Sequence, residues 1–315
     1  MKLIIQIPCY NEEETLHIAV GELPKHIDGV DEIEYLVIND GSTDGTAEAA
    51  RRCGVHHIVG YGKNKGLATA FMVGIDACLR LGADIIVNTD ADNQYCGADV
   101  EKLIRPILEG KAEMVIGERP IDSIDDFSPL KKKLQHLGSH VVRIVSGTEV
   151  PDAPSGFRAY SRETAMKLNV VSRYTYTLET IIQAGNKNIA LESVPVRTNP
   201  QLRKSRLFHS MKAYIKRSVA TMFRIFLMYR PFKLFATVGG VIFALGALLG
   251  CRFLFFYFTG TGQGHIQSLI LTAVLLMIGF QTITLGLLAD VISANRKLIE
   301  DVQYRVRKMD YESKK

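Results

Sequence analysis

The sequence predicts an α/β fold: a mainly parallel sheet with helices on both faces, followed by basic amphipathic helices and two membrane-crossing helices. Three observations predict it. Short, nearly all-apolar runs alternate with helix-like segments through the first part of the chain, each run ending at a polar or Gly-containing loop. A stretch rich in Lys and Arg then carries apolar residues at three- and four-residue spacing. Two long apolar runs without any charge follow.

The strands are expected at Leu3–Ile7, Tyr35–Ile38, Asp84–Asn88 and Met114–Ile116, with helices at Glu13–Leu23, Gly45–Cys53, Leu67–Leu81 and Ala98–Glu109. Strands that are apolar on both faces belong in a parallel sheet covered by helices. Ligands of such sheets bind beyond the carboxyl ends of the strands. Leu202–Met228 carries Arg203, Lys204, Arg206, Lys212, Lys216, Arg217 and Arg224 among regularly spaced apolar residues, the pattern of helices lying on an anionic bilayer surface. Leu234–Cys251 and Ile266–Ala289 are uncharged and long enough to cross a hydrocarbon core of about 30 Å. The linker Thr259–His265 lacks Lys and Arg while both outer flanks are rich in them, so the positive-inside rule puts both termini in the cytoplasm. Gly246 and Gly250 have the GxxxG spacing that permits close helix contact, within a hairpin or between subunits. The expected organisation is a cytosolic domain over 1–200, juxtamembrane helices over 201–231, a hairpin over 232–292 and a cytoplasmic tail over 293–315.

Composition narrows the function further. The chain has 315 residues and a net charge of +5, with the basic excess lying beyond Arg197. Basic residues interleaved with aromatics, as nucleic acid would require, are not seen, so a membrane surface or phosphate ligand is expected and no nucleic acid. The five cysteines are widely spaced and form no CxxC pair, which suggests neither zinc site nor disulfide framework and fits a reducing compartment. The apolar part of Met1–Pro8 is too short for a signal peptide and reads as a first buried strand, so the catalytic part is not expected to be exported.

Four motifs stand at the strand ends. Asp90-Ala91-Asp92-Asn93-Gln94 follows the third expected strand. Two carboxylates one residue apart there can share a hard divalent cation, with phosphate oxygens and water completing its shell. A diphosphate leaving group needs that help because negative charge grows on it. Pro8-Cys9-Tyr10-Asn11-Glu12 follows the first strand, and Asn39-Asp40-Gly41-Ser42-Thr43-Asp44-Gly45-Thr46 the second. Asp40 could accept hydrogen bonds from a base or ribose, while Ser42, Thr43 and Asp44 also suit a capped turn. Asn64-Lys65-Gly66 precedes a helix and could hold phosphate through a cation and a helix N-terminus. The run 62–66 lacks P-loop spacing, which argues against a nucleoside triphosphatase.

Taken in this order, the motifs resemble those of the family 2 glycosyltransferases with the GT-A (Rossmann-like) fold. Within that family the chain is similar to the branch of dolichyl-phosphate mannose synthases and bacterial polyprenyl-phosphate glycosyltransferases. The likeness continues through Gly117-Glu118-Arg119, Asp152-Ala153-Pro154-Ser155-Gly156-Phe157-Arg158 and Arg203-Lys204-Ser205-Arg206, and then the paired C-terminal apolar helices. It implies that Pro8, Tyr10, Glu12 and Asp40 hold the nucleotide, and that Asp90, Asp92 and Gln94 organise Mg²⁺ or Mn²⁺ and the diphosphate. Arg119, Arg158, Arg203 and Ser205 would face the donor or acceptor phosphates. Lys65 is assigned to phosphate from helix-terminus physics more than from the motif. Asp152 is a candidate base or acceptor-orienting group, or else a carboxylate pairing with Arg158. The branch often has Ser-Lys where this chain has Ser205-Arg206, which keeps the positive charge but changes its geometry.

The implied reaction is inverting transfer of a sugar from a UDP- or GDP-linked donor to a polyprenyl phosphate, by an enzyme seated in the bilayer and expected to oligomerise. A lipid phosphate is already an anion at neutral pH, so the main duties are positioning and charge neutralisation. A processive polysaccharide synthase would carry a Gln-x-x-Arg-Trp signature, and this chain has no tryptophan. A non-catalytic nucleotide-binding scaffold would have no need of Asp90, Asp92, Arg119 and Arg158. A soluble or protein acceptor leaves the hairpin and the basic stretch without a role.

Overall fold

The computed structural model describes residues 1–121, 129–171, 175–200, 219–220, 223–224, 226–229, 231–260 and 266–312. The chain divides into two compact units, Met1–Met222 with Gln303–Lys315, and Phe223–Val302.

The first unit is built on a seven-stranded sheet: β1 (Lys2–Cys9), β2 (Glu32–Asn39), β3 (His57–Gly60), β4 (Ile85–Asn88), β5 (Met114–Glu118), β6 (Arg158–Ser161) and β7 (Leu191–Pro195). The strand order is β3-β2-β1-β4-β6-β5-β7. All neighbours run parallel except β6, which lies antiparallel between β4 and β5. The expected mainly parallel sheet is therefore present, with one reversed strand in its interior.

Alternation along β1 builds two apolar layers. Leu3, Ile5, Ile7 and Cys9 join one core with Leu16 and Val20 of α1 (Leu16–Gly21), Ala49 and Ala50 of α2 (Thr46–Arg52), and Val100, Leu103 and Ile104 of α4 (Val100–Leu108). On the other face α3 (Leu67–Arg80) presses so close that a methyl group on Gly74 would lie 2.8 Å from Ile38 Cδ1. Four further helices are α5 (Pro129–Ser146), α6 (Arg162–Lys167), α7 (Thr177–Asn186) and the first part of the second unit's framework, α8 (Pro231–Phe258). Ser161 caps α6 by accepting from Thr164 N at 3.2 Å, with Glu163 in the first turn where the helix dipole favours a negative charge.

A last helix, α9, runs from Ile266 to Glu312. Its end belongs to the first unit: Tyr304 Oη donates to Glu163, Arg307 donates to Leu168 O at 2.7 Å, and Tyr311 Oη donates to Asp76 of α3. The sequence alone puts 293–315 in a tail; within it Gln303–Glu312 is helical and packed on α3 and α6.

In the second unit, α8 and the earlier part of α9 are long and apolar enough to cross a membrane, and their apolar windows are largely exposed. A core hairpin of a soluble protein would be mostly buried, so the exposure favours lipid as the surrounding medium. The two helices meet through glycines. Added methyl groups at Gly239 and Gly246 would lie 2.8 Å from Gly279 O and 2.9 Å from Leu275 Cβ, and one at Gly279 would lie 2.7 Å from Phe243 N. Close backbone approach of this kind needs small residues. Gly250 of the GxxxG pair faces Thr272. Most of the basic stretch expected at Leu202–Met228, with Arg203 and Ser205, lies outside the described residues.

Candidate active site

The topology marks where a ligand belongs. β1 leads to β2 on one side, whereas β4 leads onward to the opposite side of the sheet. The carboxyl ends of β1 and β4 therefore flank a switch point, and the crevice outside such a point is where open α/β sheets bind ligands. Pro8 is buried near the end of β1, and Tyr10, 42% exposed, follows it. Asn11 N donates to Ser42 Oγ at 3.0 Å and Thr43 N to Asn11 Oδ1 at 2.8 Å, stitching the loop after β1 to the loop after β2. Glu12 is buried, its amide donating to Thr46 Oγ1 at 2.9 Å and its carboxylate accepting from Thr15 Oγ1 at 2.9 Å.

Asp40 sits at the end of β2, where the sequence puts it, but both its oxygens already have donors. Lys65 N lies 2.7 Å from Oδ1 and Gly66 N 2.9 Å from Oδ2. The carboxylate thus brackets the loop that opens α3. The Lys65 and Gly66 amides are thus committed to Asp40 and not open to a phosphate, while Lys65 Nζ lies 4.6 Å over the Tyr61 ring. Each Asp40 oxygen keeps a second lone pair for a base or ribose. Gly41, with φ +67°, is required here both by that conformation and because a side chain would collide with the backbone of Lys63 and Asn64.

Asp90 and Asp92 follow β4 directly and are both partly exposed. Burial, then the neighbouring Asp92 charge, raise the Asp90 pKa, with Arg119 opposing them. A site that holds two carboxylates against this penalty calls for a positive partner. Gly156 forms the floor: a methyl group there would lie 3.0 Å from both Asp90 Oδ2 and Tyr176 Oη. Among the described residues no group of three or more His, Cys, Asp or Glu gathers round one point. An ion bound by Asp90 and Asp92 would take the rest of its oxygen shell from diphosphate and water, as Mg²⁺ commonly does. The donor set fits Mg²⁺ or Mn²⁺ on these grounds. Gln94, the third expected ligand, is half-buried; its amide donates to Asp92 Oδ1 at 3.2 Å, turning the loop back on its own carboxylate.

Two tyrosines that sequence reasoning passes over complete this wall. Tyr95 Oη accepts from Gly156 N at 2.9 Å, and its ring stacks on Phe157 with centroids 5.0 Å apart. Tyr176 Oη accepts from Asn88 Nδ2 at 2.8 Å and stacks on Phe71 at 4.0 Å. Burial pushes the Tyr95 hydroxyl up to about 12 and the Tyr176 hydroxyl well above its usual range, so both stay protonated. Tyr95 could have been suspected from its place beside Gln94, whereas Tyr176 lies far along the chain with no local signal. The close floor gives a first expected outcome. Gly156→Ala lowers transfer by roughly 10- to 100-fold by displacing Asp90, and raises the Mg²⁺ concentration needed for half-maximal rate, as a metal titration of initial rates would measure.

The arginines divide. Arg119 and Asp152 are both buried and form a pair, with Nε to Oδ2 at 2.7 Å, NH2 to Oδ1 at 2.9 Å and the Arg119 amide to Oδ2 at 3.2 Å. Asp152 therefore pairs with Arg119 and not with Arg158, and its carboxylate orients that guanidinium. Arg158 corrects the expectation that it faces a phosphate. It is fully buried, donating to Ser155 O at 2.7 Å, Ala153 O at 2.7 Å, Thr177 O at 2.8 Å and Thr180 Oγ1 at 2.7 Å. The motif's arginine ties the 152–157 loop to the start of α7.

Beyond β7 the chain returns to the acidic loop. Tyr95 bridges Thr198, Asn199 N donates to Gln94 O at 2.9 Å and Cys96 N to Arg197 O at 3.2 Å. The fully buried Asp99 anchors this return through Arg197 N at 2.7 Å and NH2 at 2.8 Å, with Lys102 Nζ at 2.9 Å. Burial alone would raise the Asp99 pKa; the Arg197 and Lys102 contacts outweigh it and lower it to about 2. A depressed carboxylate stabilises the fold above its unfolded pKa of about 3.9 and ceases to do so as pH falls through about 2. Asp99→Asn is expected to cost roughly 1–2 kcal/mol at pH 6. That difference from the parent shrinks between about pH 4 and pH 2, as unfolding curves over pH would report.

A sequence profile described as glycosyl transferase family 2 matches residues 4–168. The UDP-N-acetylglucosamine–dolichyl-phosphate N-acetylglucosaminyltransferase of Methanococcus voltae is 31% identical over 61% of this chain and 83% of its own length. The polyprenol monophosphomannose synthase of Mycolicibacterium smegmatis is 26% identical over 62% of this chain and 76% of its own. Among solved structures, glucosyl-3-phosphoglycerate synthase from Mycobacterium tuberculosis, in complex with Mn²⁺, UDP and phosphoglyceric acid, superposes with a TM-score of 0.58 at 20% identity. That likeness, which covers 71% of this chain and 78% of the other, is one of fold.

Proposed function

Because the chain belongs to glycosyl transferase family 2, we propose that it moves a sugar, with inversion, from a UDP- or GDP-linked donor to a polyprenyl phosphate. The observation that carries this reading is the Asp90–Asp92 pair, held on Gly156 at the switch point of a chain that also bears two exposed apolar helices. The named activities of the two relatives, which use dolichyl and polyprenol phosphates, support the lipid acceptor.

In this reading Pro8, Tyr10, Glu12 and Asp40 hold the nucleotide, and Asp90 and Asp92 hold Mg²⁺ or Mn²⁺ with Gln94 shaping their loop. When bound, the ion supplies positive charge to the diphosphate as the glycosidic bond breaks. The Arg119 guanidinium, oriented by Asp152, draws the acceptor phosphate toward the sugar. Arg203 and Ser205, which lie outside the described residues, do the same in this reading. No residue need remove a proton from the nucleophile, since a phosphate monoester is already ionised at neutral pH. Asp152 then serves as an orienting group. The uncharged linker and basic flanks of the hairpin favour a catalytic unit and termini on the cytoplasmic side.

The test is to offer the full-length protein a panel of UDP- and GDP-sugars with polyprenyl phosphate and Mg²⁺ or Mn²⁺. A lipid-linked monosaccharide, lost with EDTA, is the expected product. Transfer only to a sugar hydroxyl, or donor turnover that ignores the lipid phosphate, would overturn the reading.

A further inference from the structure

Helix α5 (Pro129–Ser146) has its polarity reversed for a helix that meets only water on its outer side. Among its described side chains the buried positions are Gln135, Ser139, Val142 and Ser146, spaced at four, three and four residues. Its outward positions include Leu137 and Ile144, 58% and 65% exposed, with the half-buried Val141 between them. Residues seven apart on a helix differ by only about 20° around its axis, so the three form one apolar strip. Elsewhere in the described part of the first unit, large hydrophobics this exposed are Met1, Tyr10, Val171 and Val219, which stand singly, and Val306 and Met309 near the end of α9. A soluble surface would reverse the arrangement, with the leucine and isoleucine inside and the glutamine and serines outside.

The charge on the helix is of one sign. Pro129–Ser146 contains Lys131, Lys132, Lys133 and Arg143, two histidines, and no acidic residue. Arg143 and His140 are exposed beside the strip, 3.5 Å apart. We propose that the outer face of α5 is a membrane-contact surface: Leu137, Val141 and Ile144 enter the boundary between headgroups and acyl chains of an anionic leaflet while Arg143, exposed beside them, meets its phosphates. The charge selects this occupant. A second copy of the same face would bring like charges together, and so would Leu202–Met228, which carries seven Lys and Arg and no acid. An anionic bilayer satisfies both halves of the pattern, apolar strip and basic surround. The surface is carried by the catalytic unit itself, so that unit touches the leaflet independently of the apolar hairpin. This needs the chain to be seated in a bilayer, but not that its acceptor be a lipid.

The chain lacks tryptophan, so one introduced indole reports one position. Leu137→Trp and Ile144→Trp are placed separately in the full-length protein and reconstituted in phosphatidylglycerol vesicles with dibrominated acyl chains. Glu101→Trp, on an exposed acidic position of α4, serves as the aqueous reference, and Phe280→Trp, in the apolar part of α9, reports insertion. Bromolipid is expected to remove about half the emission at positions 137 and 144, and less than about a tenth at 101. Replacing phosphatidylglycerol with phosphatidylcholine should weaken quenching at 137 and 144 by about twofold or more. Iodide quenching at 137 and 144 equal to that at 101, with no effect of bromolipid, overturns the proposal. Protection from both quenchers also overturns it, since protein would then cover the face. Absence of bromolipid quenching at 280 would mean that the hairpin is not in the bilayer, a separate failure that removes this proposal and the membrane reading together.

Discussion

Replacing Asp92 with alanine lowers sugar transfer by about three orders of magnitude or more, while the catalytic unit keeps its fold. The size of the effect follows from what the side chain is placed to do. Asp92 is half-buried, and among the described residues its carboxylate accepts one hydrogen bond, from Gln94 N at 3.2 Å. Its removal costs the fold little and relieves the repulsion that raises the pKa of Asp90. In the proposed reading the cation site is then left with one carboxylate, and the diphosphate would leave without its charge compensated. Initial rates at saturating donor and metal, alongside a thermal unfolding curve in the same detergent, separate the two effects. Substantial activity with an unchanged metal requirement would remove Asp92 from the metal site.

Arg158→Ala is expected to act the other way, on the fold first. Four oxygens receive hydrogen bonds from this one buried guanidinium: three main-chain carbonyls and the Thr180 hydroxyl. Alanine leaves the carbonyls of Ala153, Ser155 and Thr177 without that donor inside the protein, each costing about 1–3 kcal/mol unless water enters. A loss of roughly 3–5 kcal/mol is expected, equivalent to roughly 6–20 °C in unfolding temperature for a domain of this size. Activity falls with it, because the 152–157 loop carries both Asp152 and the Gly156 floor. Arg158→Lys retains the charge but not the fork, and should recover only part of the stability. An Arg158→Ala protein of parental stability that is nonetheless inactive would return this arginine to a phosphate-facing role.

The legible part of the fold is the part whose strands are apolar on both faces. β1, β2, β4 and β5 appear where Leu3–Ile7, Tyr35–Ile38, Asp84–Asn88 and Met114–Ile116 are expected, extended by one to three residues or trimmed by one. The four helices expected between them are present too, shortest against expectation in α1, where only Leu16–Gly21 of Glu13–Leu23 is helical. β6 escapes notice because its first residue is an arginine, which sequence patterns assign to a loop. A buried arginine is tolerated in a strand only when its donors find acceptors, and two of these, on Thr177 and Thr180, are not identifiable in advance. The edge strands β3 and β7, half-buried with exposed positions among them, lack the continuous apolar signal. In the site, residue types on strand-end loops were readable, since chemistry there depends on local spacing. Partnership was not: the pairing of Asp152 with Arg119, the bracket of Asp40 on Lys65 and Gly66, and the place of Tyr176 all join residues 20 or more apart.

The reversed strand β6 has a practical consequence for exchanging parts between relatives. Because it runs against β4 and β5, its beginning rather than its end stands at the ligand edge. The segment departing from β4 and the segment arriving at β6 are thus packed against each other, touching where Gly156 meets Asp90 and Tyr95. A chimera that imports 88–95 alone would set a foreign segment against the native one. Grafts that carry 88–95 and 152–158 together, though 56 residues separate the segments in the chain, keep that contact and are the ones that should survive.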